Sequence, residues 1–459
     1  MPRADADTGA GPAGPPSHPR VRLVVLNYNG GDYLVRCLEA LSKLDWPADR
    51  LDLVVIDNVS TDGSAEVVEE RFPAVRLLRN PVNNGFPANN LGMRDLDGID
   101  YVGLVNPDAF VEADWLRPMV DALEADPGLG ATSARMLFAD RFVEVEVTAS
   151  TFVPGVADTR ELGVMVSGVQ VDGTDRWRDA QVADGGWGIE HGRDGGTFQW
   201  TQGTAVVRVP AGKVGAVRLA AESSKSVTLR CGDRESVVDV GTEPSWHPIT
   251  LDCPARDIVN NVGSVVFDDG YGADRGFLEV DEGQYDEPAE VFAWCGGSVL
   301  FRPAYLADVG LFDERFFLYY EDTDLSWRGQ SRGWRYLYVP GAVTRHIHSA
   351  STGEGSPIFQ HYVERNRLFM LTKNAPRDLA VSAVWRYLLV TLSYARRDVV
   401  RPMLRARRPR PTQVLRRTKS FAGYCRLLPG ALLARRRIRR AATVGRDELR
   451  TRLTPHRTR

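Results

Sequence analysis

An α/β fold on a mostly parallel sheet, interrupted by an all-β segment, is the architecture the sequence predicts, on three observations. Short β-branched runs, VRLVVLN (Val21–Asn27), LDLVVIDN (Leu51–Asn58), VRLLRN (Val75–Asn80) and YVGLVNPD (Tyr101–Asp108), alternate with helix-period stretches at Tyr33–Leu44 and Ser64–Arg71. Strands joined through helices run parallel, with the helices covering the sheet faces. From about Asp140 the texture changes to short alternating runs such as GTFQWTQGTAVVRVP, SVTLRCG and HPITLDC, parted by Gly, Ser, Asp or Pro. That is the pattern of an antiparallel sandwich without helices. Helix-period sequence returns after Cys295, so the β segment, about residues 141–260, is inserted into the α/β part.

At 459 residues, 43% apolar and 25% charged, the chain has the size and composition of two or three globular domains. Residues 1–20 are rich in Pro, Gly and Ala and lack the apolar core of a signal peptide, which predicts a disordered leader and argues against secretion. The five cysteines are odd in number, far apart and form no C-x-x-C pair, so they point to neither a disulfide scaffold nor a zinc site, and a reducing cytoplasm fits them.

The net charge of −3 hides an asymmetry. Residues 401–459 carry 19 Lys or Arg against Asp447 and Glu448, a balance of +17, which leaves −20 on residues 1–400. Just before this tail, Leu379–Arg397 is strongly apolar, yet Arg386 interrupts it before the roughly 18 residues a spanning helix needs. Trp385, Tyr387 and Tyr394 suit an interface. Residues 376–459 therefore read as an amphipathic helical, Arg-rich region lying on an anionic membrane, on the inner face of the cell membrane, and removable without harm to a catalytic core. The basic stretch has no interleaved aromatics, so no nucleic-acid partner is expected.

Each predicted strand ends in small or polar residues: Asn27-Tyr28-Asn29-Gly30, Asp57-Asn58, Asn80 and Asn106-Pro107-Asp108. In open α/β sheets ligands bind outside these carboxyl ends. No G-x-G-x-x-G follows the first strand, which argues against a dinucleotide-binding oxidoreductase. Asn106 and Asp108 are two apart and project to one side, where a carboxylate can hold a divalent cation that also grips phosphate oxygens. Asp57 can accept from a base or ribose, although a helix-capping loop would also use such residues. In FLYYEDTDLSWRG, Glu321, Asp322 and Asp324 follow three aromatics. Acidic residues there either cap a helix or supply a general base.

The pieces VVLNYNG, VVIDNVSTDGS, NNGFPANNLGM, LVNPDA, CGGSVLFRPAYLADVGLFDERFFLYYEDTDLSWRGQSRGW, VPGAVTRHIHSAST and YVERNRLFML, taken in order over about residues 20–140 and 262–375, resemble glycosyltransferase family 2. The resemblance implies an inverting enzyme with a GT-A fold, most similar to bacterial rhamnosyl- and galactofuranosyltransferases of surface-polysaccharide assembly. It implies a donor-binding half (residues 21–140) and an acceptor and catalytic half (residues 261–375), with Mg²⁺ or Mn²⁺ as cofactor. It places donor contacts at Asn27, Tyr28, Asn29, Asp57, Asn58, Asn84, Asn90, Asn106 and Asp108, and the catalytic base at Asp322. Metal ligation falls to Asp108 and His346, with His348 on the same stretch, and the acceptor side to Gly297, Glu321, Asp324, Arg328 and Arg365. Asn106 departs from the family's commoner D-x-D form, which leaves Asp108 with less charge to hold a metal. The implied partners are a nucleotide-sugar donor and a glycan or lipid-linked acceptor, with a homo-oligomer open. The alternative from another class is a catalytically degenerate sugar-binding protein acting through the β insert, whose Trp177, Trp187, Trp200 and Trp246 could stack on sugars or fill a core.

Overall fold

In the computed structural model the described residues are 18–155, 158–192, 195–347 and 356–456. Most of the predicted leader, residues 1–17, and His348 lie outside them. The chain forms two compact units: Met1–Met136 with Asn261–Arg275 and Tyr285–Arg459, and Leu137–Asn260 with Gly276–Gln284.

The first unit opens with β1 (Val21–Asn27), α1 (Gly31–Leu41), β2 (Leu51–Asp57), α2 (Ser64–Arg71), β3 (Arg76–Arg79), β4 (Tyr101–Val105), β5 (Ala109–Val111), α3 (Leu116–Ala125) and β6 (Leu129–Phe138). Six of the seven residues of β1 are buried, as a near-continuous apolar run in the middle of a two-sided sheet must be. The helix α1 buries Leu34, Cys37, Leu38 and Leu41, the spacing of one helical face, against that sheet. β3, β2, β1 and β4 pair parallel in that order. Beyond β4 the strand Ser298–Phe301 pairs antiparallel with both β4 and β6, and the strand Arg335–His346 follows β6.

The second unit is antiparallel throughout its main path and, among its described residues, contains no helix. β7 (Phe142–Thr148) and β8 (Met165–Val171) both pair with the long strand Thr197–Pro210, β8 through Gln199 and Trp200 and β7 through Thr204 to Pro210. That long strand passes the sheet from one partner to the other, and the inward valines of all these strands share one core. Cys231 and Cys253, 22 positions apart, are joined as a disulfide with Cα atoms 5.9 Å apart. This corrects the expectation of unpaired cysteines: strand register, which residue spacing does not reveal, brings the two together. The cysteine pattern therefore gives no argument for a reducing compartment.

The first unit ends in helices: α4 (Pro303–Val309), α5 (Glu321–Arg332), α6 (Pro357–Asn374), α7 (Arg377–Ala395), α8 (Arg401–Leu404), α9 (Thr412–Ala441) and α10 (Arg446–Thr451). This region is helical and Arg-rich, but it is not a detachable tail. Leu379, Ala380, Ala383 and Tyr387 of α7, Tyr424 and Ala431 of α9 and Leu449 of α10 share one core with Phe316, Trp327 and Leu368 to Leu371. Tyr387 Oη donates to Glu364 at 2.9 Å, and Arg435 Nη1 donates to the carbonyls of Thr372 and Ala375 at 2.9 and 2.8 Å. Removing residue 379 onward uncovers apolar side chains worth about 1.5–3 kcal/mol each. The truncated chain is expected to be insoluble or unfolded, and a soluble product with a cooperative thermal transition would overturn this.

The opposite face of α7 is apolar too. Val381, Trp385, Leu389 and Leu392, at spacings of four, four and three, are all exposed. Among the described residues no helix is long and apolar enough to cross a membrane.

Candidate active site

The parallel strands deliver their polar ends to one edge of the sheet. At the end of β1, Asn27 has no solvent exposure. Its Nδ2 donates to Ser64 Oγ at 2.8 Å, Ser60 Oγ at 3.0 Å and Asp57 Oδ1 at 3.3 Å, and its Oδ1 accepts from Gly30 N at 3.1 Å. Asn29 sits at φ 54° and accepts from Thr61 N at 2.7 Å. Tyr28, between them, leaves half of its surface open. Next to Asp57, Asn58 accepts from Asn80 Nδ2 at 2.8 Å, and the same amide donates to Asn84 Oδ1 at 2.8 Å. Both halves of the Asn90 amide bond the backbone of Phe312, each at 3.0 Å. The donor contacts expected of the Asn27 and Asn90 side chains are thereby corrected. Both amides face inward, where a buried polar group must be hydrogen-bonded, and they hold the site's loops.

Beyond β4 the chain turns at Asn106 and Pro107 and re-enters as β5, which pairs with the strand Arg335–His346 so that Ala109 lies opposite His346. That register sets His346 beside Asp108, Nε2 to Oδ1 3.3 Å, and Ile347 N donates to the Asp108 carbonyl at 3.0 Å. The two predicted metal ligands are thus neighbours. Among the described residues no group of three or more His, Cys, Asp or Glu could hold an ion. One carboxylate and one imidazole still fit Mg²⁺ or Mn²⁺ when diphosphate and water supply the other ligands. With Asn106 neutral, the donor set is that of a shared site rather than a closed cage.

Asp322 lies in the first turn of α5, and the approach to it is strained. Phe317, Tyr319 and Tyr320 adopt φ of 67°, 69° and 69°. Each such residue costs about 1–2 kcal/mol. Asn366 of α6 offsets that cost: fully buried, it donates to the carbonyls of Phe316, Leu318 and Tyr319 at 3.0, 2.7 and 2.9 Å. Arg365 donates to the carbonyls of Arg315 and Phe316 and to Asn366 Oδ1. From the other side Phe86 N donates to the Phe317 carbonyl at 2.8 Å, and a Cβ at Gly85 would lie 1.9 Å from that oxygen, so only glycine allows the approach.

The Asp322 carboxylate accepts from Thr323 N at 2.6 Å and Thr323 Oγ1 at 3.2 Å. Burial pushes its carboxyl up to about 6, with the Thr323 and Gly296 backbone N–H groups opposing and the Asp274 charge assisting. Gly297, the next residue, accepts from Asn106 N at 3.0 Å. The Cys295-Gly296-Gly297 turn therefore links Asp322 to the end of β4.

Of the other residues predicted on the acceptor side, Glu321 is buried with Oε2 unpartnered, and burial together with Asp322 pushes its carboxyl well above the usual range. Asp324 has no exposure; it binds Lys373 Nζ at 2.8 Å, Arg328 Nε at 3.0 Å and Asn374 Nδ2 at 2.8 Å. Arg328 also donates to the carbonyls of Val309 and Leu311. Asp324 and Arg328 are thus corrected from acceptor contacts to anchors, because their polar atoms are taken up by the interior, while Arg365, half-buried, braces the loop through Nε and Nη2. Asn366, Lys373 and Asn374 are residues that motif reading misses. A signal exists: their i, i+7, i+8 spacing puts them on one face of the helix, beside the apolar run Leu368–Leu371 that enters the core.

An open α/β sheet carries Asp57, Asp108 and His346 at its strand ends and is linked through the Cys295–Gly297 turn to a raised carboxyl at Asp322, the geometry of a candidate site with a candidate base. Residues 23–150 match the family model for glycosyl transferase family 2. It is 45% identical over 69 residues to an N-acetylglucosaminyl-diphospho-decaprenol L-rhamnosyltransferase of Mycobacterium tuberculosis, which is 15% of this chain and 22% of that protein. It is 27% identical over 99 residues to a poly(ribitol-phosphate) beta-N-acetylglucosaminyltransferase of Staphylococcus aureus, 21% of this chain and 17% of that one. The matches span about a fifth of the length of these relatives. Among solved structures, a Pyrobaculum calidifontis mannosyltransferase in complex with GDP-Man and Mn²⁺ aligns at TM-score 0.41 with 14% identity, covering 92% of this chain and 86% of that one.

Proposed function

We propose that this chain is an inverting glycosyltransferase that moves a sugar from a nucleotide diphosphate donor, of dTDP-rhamnose or UDP-sugar type, to a glycan or lipid-linked acceptor of cell-surface polysaccharide. The observation that carries the reading is the seat of Asp322: a carboxyl raised to about 6, on a loop of three left-handed residues that α6 holds in place, one turn from Asn106.

An alcohol is too weak an acid to attack unaided near neutrality. Asp322 takes the acceptor hydroxyl's proton as that oxygen bonds to the anomeric carbon and the bond to the diphosphate breaks on the opposite face. Asp57 accepts from the nucleoside, and the exposed Tyr28 ring lies at the same strand edge. Asp108 and His346 would hold Mg²⁺ or Mn²⁺, which offsets charge growing on the leaving diphosphate. The exposed stripe of α7 supports docking on a membrane. Between residues 379 and 445 there are 17 Lys or Arg and one acidic residue, Asp398, which favours an anionic surface.

Slow hydrolysis of dTDP-rhamnose, UDP-galactose, UDP-N-acetylglucosamine and GDP-mannose, with and without Mn²⁺, tests this. Metal-stimulated release of sugar from at least one of them is expected, and none from any would sink the proposal. Asp108→Ala should abolish the stimulation and weaken binding of the nucleotide diphosphate about tenfold or more. A wild-type rate that chelator leaves unchanged would remove the metal role.

A further inference from the structure

The left-handed loop before Asp322 is held by two separate elements. From α6, Arg365 and Asn366 take the carbonyls of Arg315, Phe316, Leu318 and Tyr319. The carbonyl in the middle of that run, Phe317, accepts instead from Phe86 N at 2.8 Å. Phe86 also reaches the other wall of the site. A Cβ at Gly296 would come within 2.7 Å of Phe86 Cζ, so the ring lies against the Gly296 backbone, and its far side meets Phe312 edge-on at 5.4 Å between centroids. Gly296 N–H is one of the groups that bond the Asp322 carboxylate. Where Phe86 sits therefore decides both the loop that leads into Asp322 and the turn that faces its carboxylate.

The place of Phe86 is set by Asn83. Asn83 Oδ1 accepts from Gly85 N at 3.0 Å and from Asn58 Nδ2 at 2.9 Å. The first bond is the local turn that an Asn side chain makes with the backbone two residues on, and it holds Gly85 at φ 72°. The second bond anchors that turn to the residue after Asp57, at the end of β2. Asn58 is itself fixed: it is 2% exposed, its Oδ1 accepts from Asn80 Nδ2 at 2.8 Å, and its Nδ2 also reaches the Gly85 carbonyl at 3.4 Å. A continuous path of hydrogen bonds thus runs from Asn58 through Asn83 and Gly85 to Phe86 and on to Phe317. A carbonyl oxygen has two lone pairs, and at Asn83 both are engaged within the protein, so this oxygen is not placed to bind substrate.

We propose that Asn83 is a positioning residue for Asp322, its side-chain oxygen setting the base in register with the strand end that carries Asp57. This rests on the glycosyl-transfer reading above. It goes beyond that reading in naming what places the base relative to the donor's nucleoside end.

The test compares wild type, Asn83→Ala and Asn83→Asp by amide hydrogen exchange and by hydrolysis of whichever of the four nucleotide sugars wild type turns over, water taking the acceptor's place. Asn83→Ala should quicken exchange about tenfold, the equivalent of one lost hydrogen bond, in peptides containing Phe86 and residues 317–322. The rest of the first unit should stay within about twofold. Its kcat should fall about tenfold to a hundredfold, the scale of a base misplaced by about 1 Å, while KM for the nucleotide sugar stays within about threefold. Asn83→Asp, whose carboxylate oxygen accepts the same two N–H groups, should stay within about threefold of wild type on every readout. Wild-type exchange at Phe86 in Asn83→Ala overturns the assignment. So does an equal rise across the whole first unit, which is what a general loss of stability would give, and so do equal losses of kcat in Asn83→Ala and Asn83→Asp. If Asn83→Ala fails to fold, Asn58→Asp takes its place, since it keeps the acceptor for Asn80 and loses the donor to Asn83. The same local quickening is expected of it, and its absence is equally decisive. Failure of the underlying reading looks different: the exchange pattern then holds, but wild type hydrolyses no nucleotide sugar.

Discussion

Asp322→Asn is expected to lower sugar transfer by about 10²- to 10⁴-fold while nucleotide-sugar binding stays at the wild-type level. The amide keeps the shape of the carboxylate and can still accept from Thr323, so the loop is retained and only the proton acceptor is lost. The wild-type rate should rise with pH through about 6, where burial has moved the Asp322 carboxyl, and then level off. Stability should run the other way. A folded-state value raised from 3.8 to about 6 means that the native chain holds this proton more tightly than the unfolded one. The stabilisation is full below the unfolded value and is lost as pH rises through the folded one. Above pH 6 Asp322→Asn, which never ionises, should therefore melt at a higher temperature than wild type. A variant that keeps more than about a tenth of the wild-type rate, or a wild-type profile flat from about pH 5 to 8, would remove Asp322 from the role of base.

The elements that the sequence makes plain are those whose side chains answer to local rules. The first strand runs over Val21–Asn27 and the second helix over Ser64–Arg71, as their periodicity predicts. The strand expected over Tyr101–Asp108 stops at Val105, because Asn106 N turns to the Gly297 carbonyl and Pro107 has no N–H to give a ladder. What stays hidden is settled by partners far along the chain. A polar Asn at a strand end reads as a ligand contact, but the contacts of Asn27 and Asn90 reach 37 and 222 positions away. The Arg-rich stretch reads as a solvated tail because its charge is counted and its inward apolar face is not.

Lys373→Met is expected to destabilise the first unit by about 3–5 kcal/mol, the cost of removing one partner from a buried ion cluster. Lys373 is 2% exposed and its Nζ bridges Asp313 Oδ2 at 2.6 Å and Asp324 Oδ2 at 2.8 Å. Methionine nearly fills the volume of the lysine stem, so the loss does not come from a cavity. It comes from two carboxylates left without the cation that bridges them, each then keeping one arginine, Arg315 on Asp313 Oδ2 and Arg328 on Asp324 Oδ2, with nothing joining the pair. Burial alone would raise the Asp313 carboxyl, but hydrogen bonds from Arg315 and the charge of Lys373 outweigh it and hold it below the usual carboxylate range. Such a depressed group stabilises the fold above its unfolded value and loses that contribution as pH falls toward the folded one. The gap between wild type and Lys373→Met should therefore be widest near neutral pH and narrow in acid, a dependence that packing loss would not show. The consequence reaches the reaction, since Asp324 and Lys373 join α5, which carries Asp322, to α6, whose Asn366 holds the left-handed loop. Transfer should fall together with the denaturant midpoint, and equal midpoints for variant and wild type at neutral pH would show that the cluster is not what holds the two helices together.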